Sequence, residues 1–163
     1  MHPSTSLPLV QNPMQQGVLG RLRAKRELRR LKKLPRYQVF STRLLGSEFH
    51  GVDGRSFYHS FREIVVDRIY EFATDAAAPR IVDAGSNVGL SLLFFKDRYP
   101  DCQLTGFEPD PNVFQVVQRN MESFQQGDVE LIQKAVWTEE TVCHFSLRAL
   151  KQAILKVTQM TAA

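Results

Sequence analysis

Asp83, Gly85, Gly89 and Glu108 are the residues of this 163-residue chain whose types and spacing fit a shared chemistry. Asp83 closes the short strand-like stretch Arg80-Ile81-Val82, and Glu108 closes a second one, Gln103 to Phe107. In an open parallel α/β sheet, ligands bind beyond the carboxyl ends of the strands. The turn Gly85-Ser86-Asn87-Val88-Gly89 lies between the two acids and leads into a helix. Its glycines remove side chains where backbone must approach a ligand, and a helix start offers free N–H groups. Glu108 follows Gly89 by 19 residues. A carboxylate placed there can accept from both vicinal hydroxyls of a ribose.

The spacing separates two cofactor classes. A dinucleotide site wants G-x-G-x-x-G, whose second glycine lets a pyrophosphate touch the backbone. Here the pattern is G-x-x-x-G, with Asn87 in the middle and Asp83 two residues before the first glycine. A carboxylate repels a pyrophosphate and attracts a sulfonium or an ammonium. The residues therefore favour a positively charged nucleoside ligand such as S-adenosylmethionine over NAD.

These residues need elements to hold them. Arg80 to Asp83 reads as a buried strand, Leu90 to Tyr99 as a helix stopped by Pro100, and Gln103 to Phe107 as a second strand. Asp110 caps the next helix with Pro111 in its first turn, where a missing N–H costs nothing; its apolar face is Val113, Phe114, Val117, Met121 and Phe124. A third strand is predicted over Val129 to Trp137, a fourth over Thr141 to Leu147, and a basic helix over 148–159. Upstream, 37–55 reads as a connecting stretch. Ser56 then caps a helix that buries Phe57, Phe61, Ile64, Val65, Ile69 and Phe72. Strand and helix alternating at this spacing imply right-handed βαβ units: an α/β, Rossmann-like parallel sheet.

Composition fits one globular domain, with 43% hydrophobic and 23% charged residues, and excludes wholesale disorder and a collagen-like fibre. The charge is uneven. Residues 21–36 hold nine basic residues against Glu27 alone, +8, so the remaining chain sums to −4. This segment is predicted as a basic helix resting on the domain by Leu19, Leu22, Leu28, Leu31 and Leu34. Peripheral contact with anionic lipid is a second reading of it. Nucleic acid is disfavoured, because no aromatic residue interleaves the basic ones before Tyr37. No apolar run is long enough to span a bilayer, and residues 1–20 read as a disordered start without the pattern of a secretory signal. Cys102 and Cys143 make neither a disulfide framework nor a metal spacing, so a reducing, cytoplasmic compartment is expected. His50, His59 and His144 read as surface or core-edge residues rather than metal ligands, and Tyr70, Phe72 and Trp137 mainly as packing.

The stretch Ile81-Val-Asp-Ala-Gly-Ser-Asn-Val-Gly-Leu-Ser-Leu-Leu-Phe-Phe95, followed by Gly106-Phe-Glu-Pro-Asp-Pro111, resembles motif I and the acidic loop of class I S-adenosylmethionine-dependent methyltransferases. With Glu63, Tyr70 and Phe72 upstream, Arg119-Asn120, and Lys134-Ala135-Val136 downstream, the pattern resembles the FkbM family in particular. The similarity covers roughly residues 37–147. It implies that Asp83 and the turn carrying Gly85, Ser86, Asn87 and Gly89 hold the methionine part of the cofactor. It further implies that Glu108 holds the ribose, and that Pro109, Lys134 and Ala135 border the adenine. The implied activity is O-methylation of a small-molecule or glycan hydroxyl; no catalytic base is assigned.

Family members carry a fourth strand with a Lys-x-Asp-x-Glu-Gly motif at the mouth of the acceptor pocket. Nothing after Leu147 matches it, and the tail 148–163 holds no Asp or Glu. The expectation is thus a C-terminally truncated member, with the cofactor-binding half over 37–147 and an exposed sheet edge open to self-pairing or a second chain. A non-catalytic S-adenosylmethionine-binding module partnering a complete methyltransferase is the alternative, and an NAD-dependent oxidoreductase fragment a weaker one.

Overall fold

A computed structural model of the chain describes residues 17–138, 142–145 and 153–159. Helix α1 (Val18–Lys32) is followed by the short strands β1 (Phe40–Thr42) and β2 (Phe49–Gly51) and by helix α2 (Gly54–Ser60). Then come β3 (Arg80–Asp83), α3 (Leu90–Arg98), β4 (Gln103–Phe107), α4 (Pro111–Ser123) and β5 (Glu130–Ile132). The chain continues through β6 (Ala135–Trp137), β7 (Val142–Phe145) and β8 (Ala153–Gln159).

The βαβ units form as expected. Strands β3, β4 and β5 pair in parallel in that order, with Asp83 beside Gly106 and Phe107 beside Ile132. The architecture is α/β with a Rossmann-like parallel sheet, and β3 is one edge of that sheet among the described residues, β5 the other. Leu92 and Leu93 of α3 are fully buried. Leu92 packs so closely on β4 that a Cβ at Gly106 would lie 3.0 Å from its methyl carbons.

The segment 37–55 is more than a connection. It contains an antiparallel hairpin, β1 against β2, with Phe40 opposite Gly51. Phe49 of this hairpin is fully buried against the rings of Phe57 and Phe124, and Phe57 in turn packs on Phe40 and Phe61. Strands of three residues are too short to show a period-2 pattern, which is why composition alone hides them.

Helix α1 runs over 18–32 rather than 21–36, so it starts within the stretch expected to be disordered. It buries Ala24, Leu28 and Leu31, while Leu19 and Leu22 face solvent. Glu27 joins it to β1 by accepting from the Thr42 hydroxyl at 2.8 Å and pairing with Arg30. Gly54 lets α2 start against the last turn of α1, because a Cβ there would sit 2.3 Å from the Leu31 carbonyl oxygen.

Four further expectations need correction. The cap of α2 is Asp53, whose carboxylate accepts from the Ser56 N–H at 2.7 Å; Ser56 lies inside the helix. That helix passes into a π-turn over Phe61–Val66. The helix ends there: Asp67 is its C-cap and Arg68 turns the chain with φ 56°, so Ile69 and Phe72 lie beyond it and are exposed. The third strand is broken at Gln133-Lys134 into β5 and β6, and β6 pairs with β8 instead of continuing beside β4. Finally, 153–159 is a strand and not a helix, antiparallel to β7 and parallel to β6. Its Ile154, Val157 and Thr158 suit that conformation. Expectations for residues 1–16 and for the side chains of Cys143 and His144 lie outside the described parts of the chain.

Candidate cofactor site

The ends of β3 and β4 bring Asp83 and Glu108 to one rim of the sheet. Asp83 is half-buried; its Oδ2 accepts from the Ser91 hydroxyl at 2.5 Å, and the carboxylate also accepts from the Gly85 N–H. Burial pushes the Asp83 carboxyl above its ordinary value, against these two donors, which favour the ionised form. Glu108 is buried. Burial raises its carboxyl too, opposed by the N–H groups of Asp110 and Asn87, while the charges of Asp110 and Asp83 push it further up. Neither acid forms a salt bridge among the described residues. The rim thus holds two partly desolvated negative charges with no cation beside them.

The turn between them is tightly made. The Ser86 N–H donates to the Phe107 carbonyl at 2.8 Å, and the Gly89 N–H donates to the Ser86 carbonyl at 2.8 Å. Asn87 adopts a left-handed conformation, φ 48°, which asparagine tolerates better than most residues. Its N–H serves Glu108, as that of Gly85 serves Asp83. The N–H groups of Gly85, Ser86, Asn87 and Gly89 thus serve the protein's own acceptors. A phosphate-binding cradle needs the opposite.

The two glycines have different reasons. Around Gly85 nothing lies within 4 Å of a built Cβ, so its bare backbone faces open space. Gly89 is buried and left-handed, φ 86°, and a Cβ would meet Val117 Cγ2 at 2.7 Å and Met121 Cε at 2.9 Å. Its lack of a side chain serves the packing of the turn on α4 rather than a ligand's approach.

Pro109, half-buried, precedes the cap Asp110, whose Oδ1 accepts from the N–H groups of Asn112 and Val113. The Ile132 carbonyl accepts from both the Glu108 and the Lys134 N–H, at 3.1 and 2.9 Å. The break in the third strand thereby carries Lys134 and Ala135, both half-buried, past the backbone of Glu108. Tyr70 and Phe72 do not join the rim. They stack on Phe95 and Tyr99, and the Tyr99 hydroxyl bonds both the N–H and the carbonyl of Phe72. Cys102 is buried, and Trp137 is exposed. No three His, Cys, Asp or Glu side chains are grouped as a metal site among the described residues, and no described helix is long and apolar enough to cross a membrane.

Two contributors escape a reading of residue types. Ser91 lies in an otherwise apolar helix start, and Asn120 lies on the buried face of α4, where apolar residues are expected.

No family model matches the chain. Methyltransferase sdnD of Sordaria araneosa is 41% identical to it over 61 residues, 37% of this chain and 24% of that protein. Methyltransferase 1 of Beauveria bassiana (strain ARSEF 2860) is 37% identical over 79 residues, 48% of this chain and 32% of that protein. The chain thus spans about a quarter to a third of the curated relatives it matches. Among solved structures, the methyltransferase FkbM of Methylobacillus flagellatus KT aligns with 90% of this chain and 40% of its own, at 10% identity and a TM-score of 0.40. The chain is therefore similar in sequence to methyltransferases over part of their length, in agreement with the FkbM-type resemblance carried by its glycine turn and Phe-Glu-Pro loop.

Proposed function

We propose that this chain supplies the S-adenosylmethionine-binding region of an FkbM-type O-methyltransferase. The observation that carries the reading is the pair Asp83 and Glu108: two buried or half-buried carboxylates at adjacent strand ends, without a basic partner among the described residues, flanking a turn in which the N–H groups of Gly85, Ser86, Asn87 and Gly89 serve the protein's own acceptors. Such a rim suits a cationic nucleoside and disfavours the pyrophosphate of NAD.

The residues fit the cofactor in kind. Asp83 would draw the cationic methionine end, the open backbone at Gly85 would let it approach, and Glu108 would accept from the ribose hydroxyls. Pro109, Lys134 and Ala135 would border the base. The bound cofactor supplies a methyl group on a sulfonium. The chain's part is to orient that group and, by remaining ionised, to keep the charge held in place. The acceptor is proposed to be a hydroxyl of a small molecule or glycan.

Thermal unfolding of the full chain with S-adenosylmethionine, S-adenosylhomocysteine or NAD tests the reading. At a ligand concentration of 100 Kd, binding stabilises by about 2.7 kcal/mol. The first two ligands are expected to raise Tm and NAD to leave it unchanged. A shift with NAD alone would overturn the assignment.

A further inference from the structure

Asn120 joins two parts of the molecule that the chain order keeps far apart. Its side chain is fully buried. The carboxamide oxygen accepts from the His50 N–H at 2.8 Å, and its nitrogen donates to the His50 and Val88 carbonyls, each at 2.8 Å. All three bonds go to main chain: two to β2 of the hairpin and one to the turn between Asp83 and Glu108.

The bond to Val88 falls at a telling place. The peptide between Val88 and Gly89 is held at both ends, its carbonyl by Asn120 and its N–H by the Ser86 carbonyl. A peptide plane fixed twice cannot rotate without breaking a buried hydrogen bond. That plane sets the left-handed φ of Gly89 and, through it, where α3 begins and where Ser91 meets Asp83.

We infer that Asn120 is a positioning residue, through which the β1–β2 hairpin orders the turn that receives the cofactor. The inference rests on the proposed cofactor reading for its consequence, but its geometry stands without it. Aspartate is the telling replacement, being almost the same shape. It keeps an acceptor for the His50 N–H, yet when ionised it has no donor for either carbonyl and opposes two carbonyl oxygens with a charge.

The test compares the full chain with Asn120→Asp and with Phe124→Leu, which trims the aromatic contact to Phe49 at the end of the same helix without touching the turn. Amide hydrogen exchange is followed over residues 86–90 and, as an internal reference, over β4, together with the affinity for S-adenosylhomocysteine by calorimetry. Asn120→Asp is expected to speed exchange in 86–90 at least tenfold more than in β4 and to weaken S-adenosylhomocysteine by tenfold or more. Phe124→Leu is expected to do neither. Unchanged exchange in 86–90 in Asn120→Asp, or equal losses in Phe124→Leu, would overturn the inference. Should Asn120→Asp not fold, the unmodified chain still decides. Saturating S-adenosylhomocysteine is expected to slow exchange of the His50 N–H, and no change there would count against the coupling. A chain that binds no S-adenosylhomocysteine but shows the local exchange effect would contradict the cofactor reading and leave the positioning role standing.

Discussion

The Ser91 hydroxyl donates to Asp83 Oδ2 at 2.5 Å, across the turn that separates β3 from α3. This bond supports the ionised form of a carboxyl that burial pushes the other way. Removing the hydroxyl in Ser91→Ala is expected to raise the pH at which Asp83 titrates, because a bond to the charged form is lost while the burial stays. Hydrogen bonds to charged groups are worth about 1.5–3 kcal/mol. Carboxyl-carbon NMR titration checks it; an unmoved Asp83 midpoint would show that the bond has no hold on the charge.

Both rim carboxyls titrate above their ordinary values, 3.8 for Asp83 and 4.5 for Glu108. In the window above those values the folded chain keeps protons that the unfolded chain has released. Ligand-free stability contributed by this pair therefore falls as pH rises through the window. Affinity for S-adenosylmethionine moves oppositely, rising as the carboxylates ionise. Parallel denaturation and calorimetry across pH 4–7 are expected to show these opposed slopes, with Asp83→Asn flattening both.

Asp53 behaves in the reverse sense. Burial works to raise its carboxyl, but the N–H groups of Tyr37 and Ser56 and the Arg36 guanidinium outweigh it and lower it to about 2 from 3.8. The stability this gives is present above 3.8 and is lost as pH falls towards 2. A shift of this size corresponds to about 2 kcal/mol. Asp53→Ala is expected to lose that much at neutral pH, helix cap included, and to lack the acid limb between pH 4 and 2. Urea titration at several pH values measures both.

The two turn glycines should separate stability from binding. Gly89→Ala places a methyl 2.7 Å from Val117 Cγ2 at a φ of 86°, so a loss of about 1–3 kcal/mol is expected. Adding Val117→Ala is expected not to restore it fully, since the backbone strain remains and a cavity is added. Gly85→Ala meets nothing within 4 Å and should leave stability within about 0.5 kcal/mol while weakening S-adenosylmethionine. Chemical denaturation and calorimetry on the same samples compare them.

The sequence makes the βαβ centre legible because several signals agree there. Short strands end in acids, Pro100 stops α3, and Asp110-Pro111 starts α4. Where a single local rearrangement decides the outcome, the pattern misleads. The helix stops at Val66 and Arg68 turns the chain, so Ile69 and Phe72 are not on the helical face that their spacing assigns them. The break at Gln133-Lys134 ends a run that reads as one strand. At the site, Asp83, Glu108 and the glycine turn could be read from type and spacing. Asn120 could not be read in its role, since its three partners are main-chain atoms distant in sequence, and no residue pattern records them.

If Glu108 and Asp83 form a site for S-adenosylmethionine, the Glu108 carboxylate must contribute to binding. Calorimetric titration of the full chain with S-adenosylmethionine and S-adenosylhomocysteine, beside Glu108→Ala, tests this most directly. Both ligands are predicted to bind, and the substitution to weaken them tenfold or more, about 1.4 kcal/mol. A folded chain that binds neither ligand, or binds both equally well without the Glu108 carboxylate, would contradict the assignment.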